Sequence, residues 1–389
     1  MNAAMPVSEP VIPPLPARRE LGRLVGGEPG PTLVVLGSMH GNEPGGTIAA
    51  KRVLDRLSRG DAPVRGELLA LAGNLGALRA RRRYHAKDLN RQWSEERVAE
   101  LRSQPGDADD AEDREQRELL VAIESAVARA RGPVHVVDLH TTSAPGIPFV
   151  ITGDTPAQRK LAAALPLPTV LGLEDQLDGA LTSYWTRRGC STFAVEGGQH
   201  DAPGSVDCLE AVVYVTAGAI GLVPDGLGAE VQRSLRLLDE RRAGLPRVME
   251  VVRRHAITDT DRFVMEPGFR NLDRAHAGQL LARDARGEIR APHDGLVILP
   301  LYQGAGNDGF FWGREMSALR MRTSALLRRL GADQALAWLP GVQRDATRAS
   351  RLVIDGRLGQ MLPLGVLHLL GYRRVRRDER GLVADRQPS

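Results

Sequence analysis

Cysteine is nearly absent: 389 residues include only Cys190 and Cys208. Two thiols make no disulfide framework, so the fold must rest on a buried apolar core, and a reduced, cytoplasmic setting is expected. Aromatic residues amount to 4%, too few for a base-stacking surface. The 52 basic and 48 acidic residues leave a net charge of only +4. No basic run is interleaved with aromatics beyond residues 79–84, so no nucleic-acid partner is expected. No apolar run approaches the roughly 20 residues that would span a bilayer, and no membrane partner is expected. The opening MNAAMPVSEPVIPPLPARRE lacks the charged-then-apolar order of a secretory leader and reads as a Pro-rich, disordered tail. A homo-oligomer is compatible with all of this, and nothing in the sequence decides it.

What is present is ordinary globular composition, 42% hydrophobic, long enough for a large core. Short apolar runs at residues 32–37 (TLVVLG), 67–72 (ELLALA), 134–139 (VHVVDL), 149–152 (FVIT) and 192–195 (TFAV) predict buried strands. Helical patterns at about 47–57, 114–131 and 209–222 alternate with them. The alternation predicts an α/β fold: a mixed, mostly parallel sheet flanked by helices. Around residue 255 the pattern changes to short β-like runs split by Gly, Pro, Asn and Asp. The expected organisation is a tail (1–20), a catalytic domain (21–254), a small all-β domain (255–314) and a helical, Arg-rich C-terminal extension (315–389).

Three predicted strands end in chemistry. GSMHGNEP carries His40 and Glu43, VVDLHTTS carries His140, and FAVEGGQH carries Glu196. Parallel strands bring their carboxyl ends to one rim, where ligand sites of such sheets collect. Two imidazoles and a carboxylate are a common catalytic zinc set that leaves one position for water, and a carboxylate outside that set can move the proton. His40, Glu43 and His140 are therefore candidate metal ligands, with Gly41 letting the short loop bend, and Glu196 is the candidate base. His135 is an odd number of residues from His140, faces the other way and is not expected to bind metal. Asp138 shares the face of His140; it reads equally as an acceptor orienting that imidazole or as a hydrogen-bonded core aspartate. RRRYHAKDLNRQW (81–93) adds Arg83, Asn90 and Arg91. Arginine binds carboxylates in a bidentate way, so this segment is a candidate clamp for an acidic substrate, whereas Arg79, Arg81 and Arg82 read as a solvated basic loop.

Taken in order, H-G-N-E, R-Y-x(3)-D-L-N-R, D-L-H-T-T and V-E-G-G resemble the succinylglutamate desuccinylase and aspartoacylase family, relatives of the zinc carboxypeptidases. The likeness covers roughly residues 30–200 and, more loosely, the β region to about 312. It implies one zinc ion per chain on His40, Glu43 and His140. It implies Glu196 as the base that activates water and then protonates the leaving amine, and Arg83 as the group that polarises the scissile carbonyl. Asn90 and Arg91 would grip the substrate carboxylate. The family's further substrate arginine has no clean counterpart; Arg187 and Arg188 are the candidates. Tyr302, or the loop 304–309, is the part of the β region that would reach the active site.

The resemblance implies a deacylase acting on a small acidic N-acylated amino acid. A zinc carboxypeptidase acting on peptides or amide conjugates is the alternative, disfavoured because a capping β-domain would admit only small substrates. A metal-binding homologue without turnover is a third reading that no residue favours.

Overall fold

A computed structural model describes residues 16–60, 63–223, 228–345, 351–355, 364–378 and 381–386. Most of the tail expected at 1–20 lies outside the described residues, and its end, Glu20, already opens strand β1 (Glu20–Val25). The continuous apolar run predicted at 32–37 becomes the inner part of β2 (Glu28–Gly37). Such a run needs cover on both faces, and it has it. Leu33 and Val35 join a core built with α1 (Gly45–Arg59), α5 (Pro156–Ala163), α7 (Pro203–Ala219) and α8 (Gly228–Arg241). Val34 and Leu36 join a second core with α3 (Glu95–Ser103), α4 (Ala111–Arg129) and α6 (Leu181–Arg187). The same alternation separates Val137 and Leu139 from Val136 on β4 (Val134–Thr142). The result is a sheet between two helical layers.

The sheet also contains β3 (Arg65–Ala72), β5 (Phe149–Thr152), β6 (Thr169–Leu171), β7 (Ser191–Gln199) and β8 (Val248–Ala256). Beyond them come β10 (Asp273–Ala275), β13 (Gly295–Ile298) and β14 (Asp308–Glu315). The order is β1-β3-β2-β4-β7-β5-β6-β8-β14-β13-β10. Pairing is parallel through β3-β2-β4-β7 and through β5-β6-β8, and antiparallel at the β7–β5 junction and at both margins. The main sheet therefore runs unbroken past the boundary expected between residues 254 and 255, because β8 pairs with β14. A separate three-stranded sheet, β12-β11-β9, is built from β9 (Val264–Met265), β11 (Leu280–Asp284) and β12 (Gly287–Arg290). Both cysteines are buried and free.

The C-terminal extension departs from the helical expectation. It holds α9 (Ala318–Arg329) and α10 (Leu364–Leu369). It also holds a four-stranded antiparallel sheet of β15 (Val342–Arg344), β16 (Arg351–Asp355), β17 (Tyr372–Asp378) and β18 (Gly381–Arg386), in the order β15-β16-β18-β17. The reason is a period of two: Leu352 and Ile354 are buried around a half-buried Val353 and pair with Ala384 and Leu382. The abundant arginines mask this alternation in composition.

One close approach fixes α1 against the sheet. A Cβ on Gly46 would lie 2.5 Å from the Leu139 carbonyl oxygen and 3.0 Å from the Gly37 Cα. Backbone cannot yield as a flexible side chain can, so Gly46→Ala should destabilise by about 1–3 kcal/mol, as overpacking does. Chemical denaturation of the two proteins measures it.

Candidate metal centre and active site

Strands β2, β4 and β7 are adjacent and parallel, so the loop after β2 and the carboxyl-terminal halves of β4 and β7 meet at one end of the sheet. The chain turns sharply at Ser38, whose φ is 60°, and the Ser38 hydroxyl donates to the Glu43 carbonyl at 3.0 Å. Gly41, expected to supply the bend, is needed for room instead: a Cβ there would lie 2.1 Å from the Ala77 backbone. His140 stands directly opposite Glu196 in the β4–β7 ladder. Asp138 shares the face of His140, and Ala194 that of Glu196, by the two-residue repeat.

His40, Glu43 and His140 are buried, and each offers a ligand atom within 4.8 Å of the others. His40 Nδ1 is 2.8 Å from Glu43 Oε1, and His140 Nδ1 is 3.1 Å from Glu43 Oε2. The Thr141 amide also donates to Oε2 at 3.0 Å. The opposite ring nitrogens are tied back: His40 Nε2 lies 3.1 Å from Asp88 Oδ1, and His140 Nε2 lies 2.8 Å from Asp138 Oδ2. An acid on Nε2 fixes the imidazole tautomer that leaves Nδ1 as the electron-pair donor, the usual support of a metal-binding histidine. Burial pushes the Glu43 carboxyl up, but both imidazoles outweigh it and hold the group well below the carboxylate range. His140 is driven the other way, well above its ordinary value, because Asp138 and Glu43 outweigh burial. Four buried or nearly buried acids (Glu43, Asp88, Asp138 and Glu196) surround this point, with the guanidinium of Arg83 paired to two of them and Arg91 acting on Asp88. The donor set and the excess of negative charge both fit a divalent cation held by His40, Glu43 and His140.

Glu196 is 8% exposed, and its Oε2 has no hydrogen-bond partner. Burial lifts its carboxyl to about 8, with Glu43 adding to the effect and His140 and Arg83 opposing it. Arg83 reaches Asp88 Oδ2 at 3.1 Å and Glu43 Oε1 at 3.5 Å. Burial works against its charge, but Asp88 and Glu43 more than restore it. Asn90 receives the Leu181 amide at 3.0 Å and turns its own amide toward Asp138 and His140, each at 3.4 Å. Arg91 pairs with Asp308 at 2.9 Å. His40, Glu43, Arg83, Asn90, Arg91, His140, Glu196 and Asp308 line one cleft. The β region supplies one wall through Leu299, Pro300, Gln303, Asn307 and Asp308, held by a 3.0 Å bond from Asn42 to Gln303.

Residues 29–208 match the family model described as the succinylglutamate desuccinylase/aspartoacylase catalytic domain. The match covers a little under half of the chain. Solved structures with the same fold include a succinylglutamate desuccinylase from Vibrio cholerae: 15% identity, 74% of this chain and 82% of that one, TM-score 0.52. A succinylglutamate desuccinylase/aspartoacylase from Rhodobacter sphaeroides matches at 20% identity over 74% and 87%, TM-score 0.53. The ectoine utilization protein EutE (DoeB) of Ruegeria pomeroyi matches at 19% over 75% and 88%, TM-score 0.52. No curated protein matches this chain.

Within residues 29–208, the two candidates for a further substrate arginine face away from the cleft. Arg187 and Arg188 both pair with Glu95 on the surface. Arg79, Arg81 and Arg82 are exposed, as their solvated reading requires. Tyr302 bonds the Glu266 carbonyl at 2.8 Å and receives the Phe269 amide at 3.0 Å, outside the cleft, whereas Gln303 and Gly306 to Asp308 line it. Two acids of the site escape the sequence reading, and a third, Asp308, is reached only through the loop 304–309 that contains it. Asp88 stands in the D-L-N-R motif, where its neighbour Arg91 draws the attention. Glu174 lies in an irregular turn after β6 and carries no motif at all.

Glu174 is 4% exposed, and neither carboxylate oxygen has a hydrogen-bond partner. Burial lifts its carboxyl to about 8, against the Thr182 hydroxyl, which lies near but without hydrogen-bond geometry. An acid whose folded pKa exceeds its unfolded value makes the fold lose stability as pH rises from the unfolded toward the folded pKa. Glu174→Gln should therefore raise Tm at pH 8 by about 2 °C or more, and the gain should shrink toward pH 5; thermal scans at both values check this. Asp88→Asn or Asp138→Asn should weaken divalent-metal affinity about 10- to 100-fold, the usual cost of losing such a support, read by competition with a chromogenic chelator.

Proposed function

We propose that this chain is a zinc-dependent amidohydrolase that releases the acyl group from a small N-acylated amino acid. The carrying observation is the inward pair of Nδ1 atoms on the Glu43 carboxylate, each ring braced by an aspartate, beside the unpartnered Glu196. The family match of residues 29–208 supports the same reading. His40, Glu43 and His140 would hold the zinc ion, which when bound supplies the positive charge that makes water acidic near neutral pH and polarises a carbonyl.

The chain's own groups carry the proton. Glu196, as carboxylate, takes a proton from water while the water oxygen bonds to the amide carbon. The carbonyl oxygen gains negative charge, and the buried guanidinium of Arg83 is the donor that meets it. Glu196 then gives its proton to the amide nitrogen as the C–N bond breaks, so that a carboxylic acid and an amine leave. Asn90 and Arg91 would hold the substrate carboxylate. Arg91 keeps N–H donors beyond those given to Asp308 and the Asn90 carbonyl. The wall formed by residues 299–308 limits the cleft to small amides, which supports deacylation over peptide trimming.

Chelator-treated protein should lose amine release from N-acyl amino acids and regain it with zinc. Glu196→Gln should keep its metal but lose about 10²-fold or more in kcat; unchanged turnover in that variant would remove Glu196 from the mechanism.

A further inference from the structure

The cleft contains one charged group that neither the fold nor the proposed reaction uses. Glu174 begins a single turn, Glu174–Gln176, that follows β6. It lines the same cleft as Glu196 and Arg83, together with Thr182 and the apolar Ile151, Leu173, Leu177 and Phe311. A buried carboxyl without a partner is costly, and here no ion pair or helix cap recovers the cost. The charges that act on it are Asp175, Asp138 and Arg187. Two have its own sign, and Arg187 is engaged by Glu95. Among the described residues, no cation is placed against either oxygen. Arg187 and Arg188 do not line the cleft, whereas Glu174 does.

We propose that Glu174 is a specificity residue that receives a protonated amine of the substrate, so that the preferred amides carry an ammonium group as well as a carboxylate. This rests on the amidohydrolase reading. A charge-assisted hydrogen bond closing on a buried acid selects strongly, because the neutral isostere leaves that acid unpaired. The ammonium can belong to the amine half, as in an Nα-acyl diamino acid, or to the acyl half, as in an amide of an ω-amino acid.

The test compares zinc-loaded wild type and Glu174→Gln on Nα-acetyl-ornithine against Nα-acetyl-norleucine, on Nα-(4-aminobutanoyl)-norvaline against Nα-pentanoyl-norvaline, and on Nα-acetyl-glutamate. Calorimetric binding of the same compounds to the Glu196→Gln protein runs alongside. The expected result is kcat/KM for one cationic amide above its neutral isostere by roughly 10- to 100-fold, carried mainly by KM. Which cationic amide wins identifies the half that meets Glu174. Glu174→Gln should bring the ratio close to one, a change that a merely structural role would not produce. Equal or better use of the neutral or acidic amides by the wild type overturns the proposal, whether or not the variant folds. A ratio that survives Glu174→Gln overturns it too. Binding that prefers the cation without any turnover counts against the amidohydrolase reading alone; turnover without that preference counts against Glu174 alone.

Discussion

The site depends on one carboxylate lying between two imidazoles. Glu43 meets His40 Nδ1 with one oxygen and His140 Nδ1 with the other, although His140 lies 97 residues further along the chain. That contact exists because β2 and β4 are parallel neighbours in fixed register, Gly37 opposite Leu139. The register holds because both faces of β2 are buried in different cores. A slip of one residue would exchange those faces and turn His140 away from Glu43. The apolar alternation of the strands is thus the positional device of the chemistry.

The electrostatics show a division of labour among buried acids. Glu43 is held ionised by the imidazoles, and Asp88 by His40, Arg83 and Arg91, which together outweigh its burial. Glu196 and Glu174, without such partners, are both lifted to about 8. Glu43 and Asp88 belong to the cluster around His40, whose donor set fits a cation. Glu196 and Glu174 each leave buried oxygen without a hydrogen-bond partner, and perturbed acids in a cleft are candidates for function. Glu196 stands opposite His140 in the β4–β7 ladder, whereas Glu174 lies in the turn after β6, so the two acids occupy different parts of the cleft.

Much of this was legible from residues. The runs TLVVLG, VHVVDL and TFAV announce the strands, and the histidines and glutamates that follow them sit where parallel strands deliver ligands. The fold class follows from the same alternation. Asp88 was harder, because an aspartate within a basic loop reads as solvated until the loop is seen folded over His40. Glu174 was out of reach: nothing local distinguishes LEDQ from a surface turn, and its burial comes with the cluster in which the flanking Leu173 and Leu177 pack with Ile151, Val170 and Phe311. The β-sheet within residues 342–386 was hidden by arginine content, which suits a helix surface as well as a strand. The continuity of the main sheet through residue 255 was hidden because β8 and β14 are separated by the whole intervening β region.

The central claim is that two imidazoles and one carboxylate share a zinc ion. Zinc K-edge X-ray absorption on the purified, zinc-loaded protein tests it most directly. The account predicts one tightly held zinc with only nitrogen and oxygen neighbours at about 2.0–2.1 Å and the multiple-scattering pattern of two imidazoles. A zinc shell containing sulfur, or water oxygens alone, would contradict it.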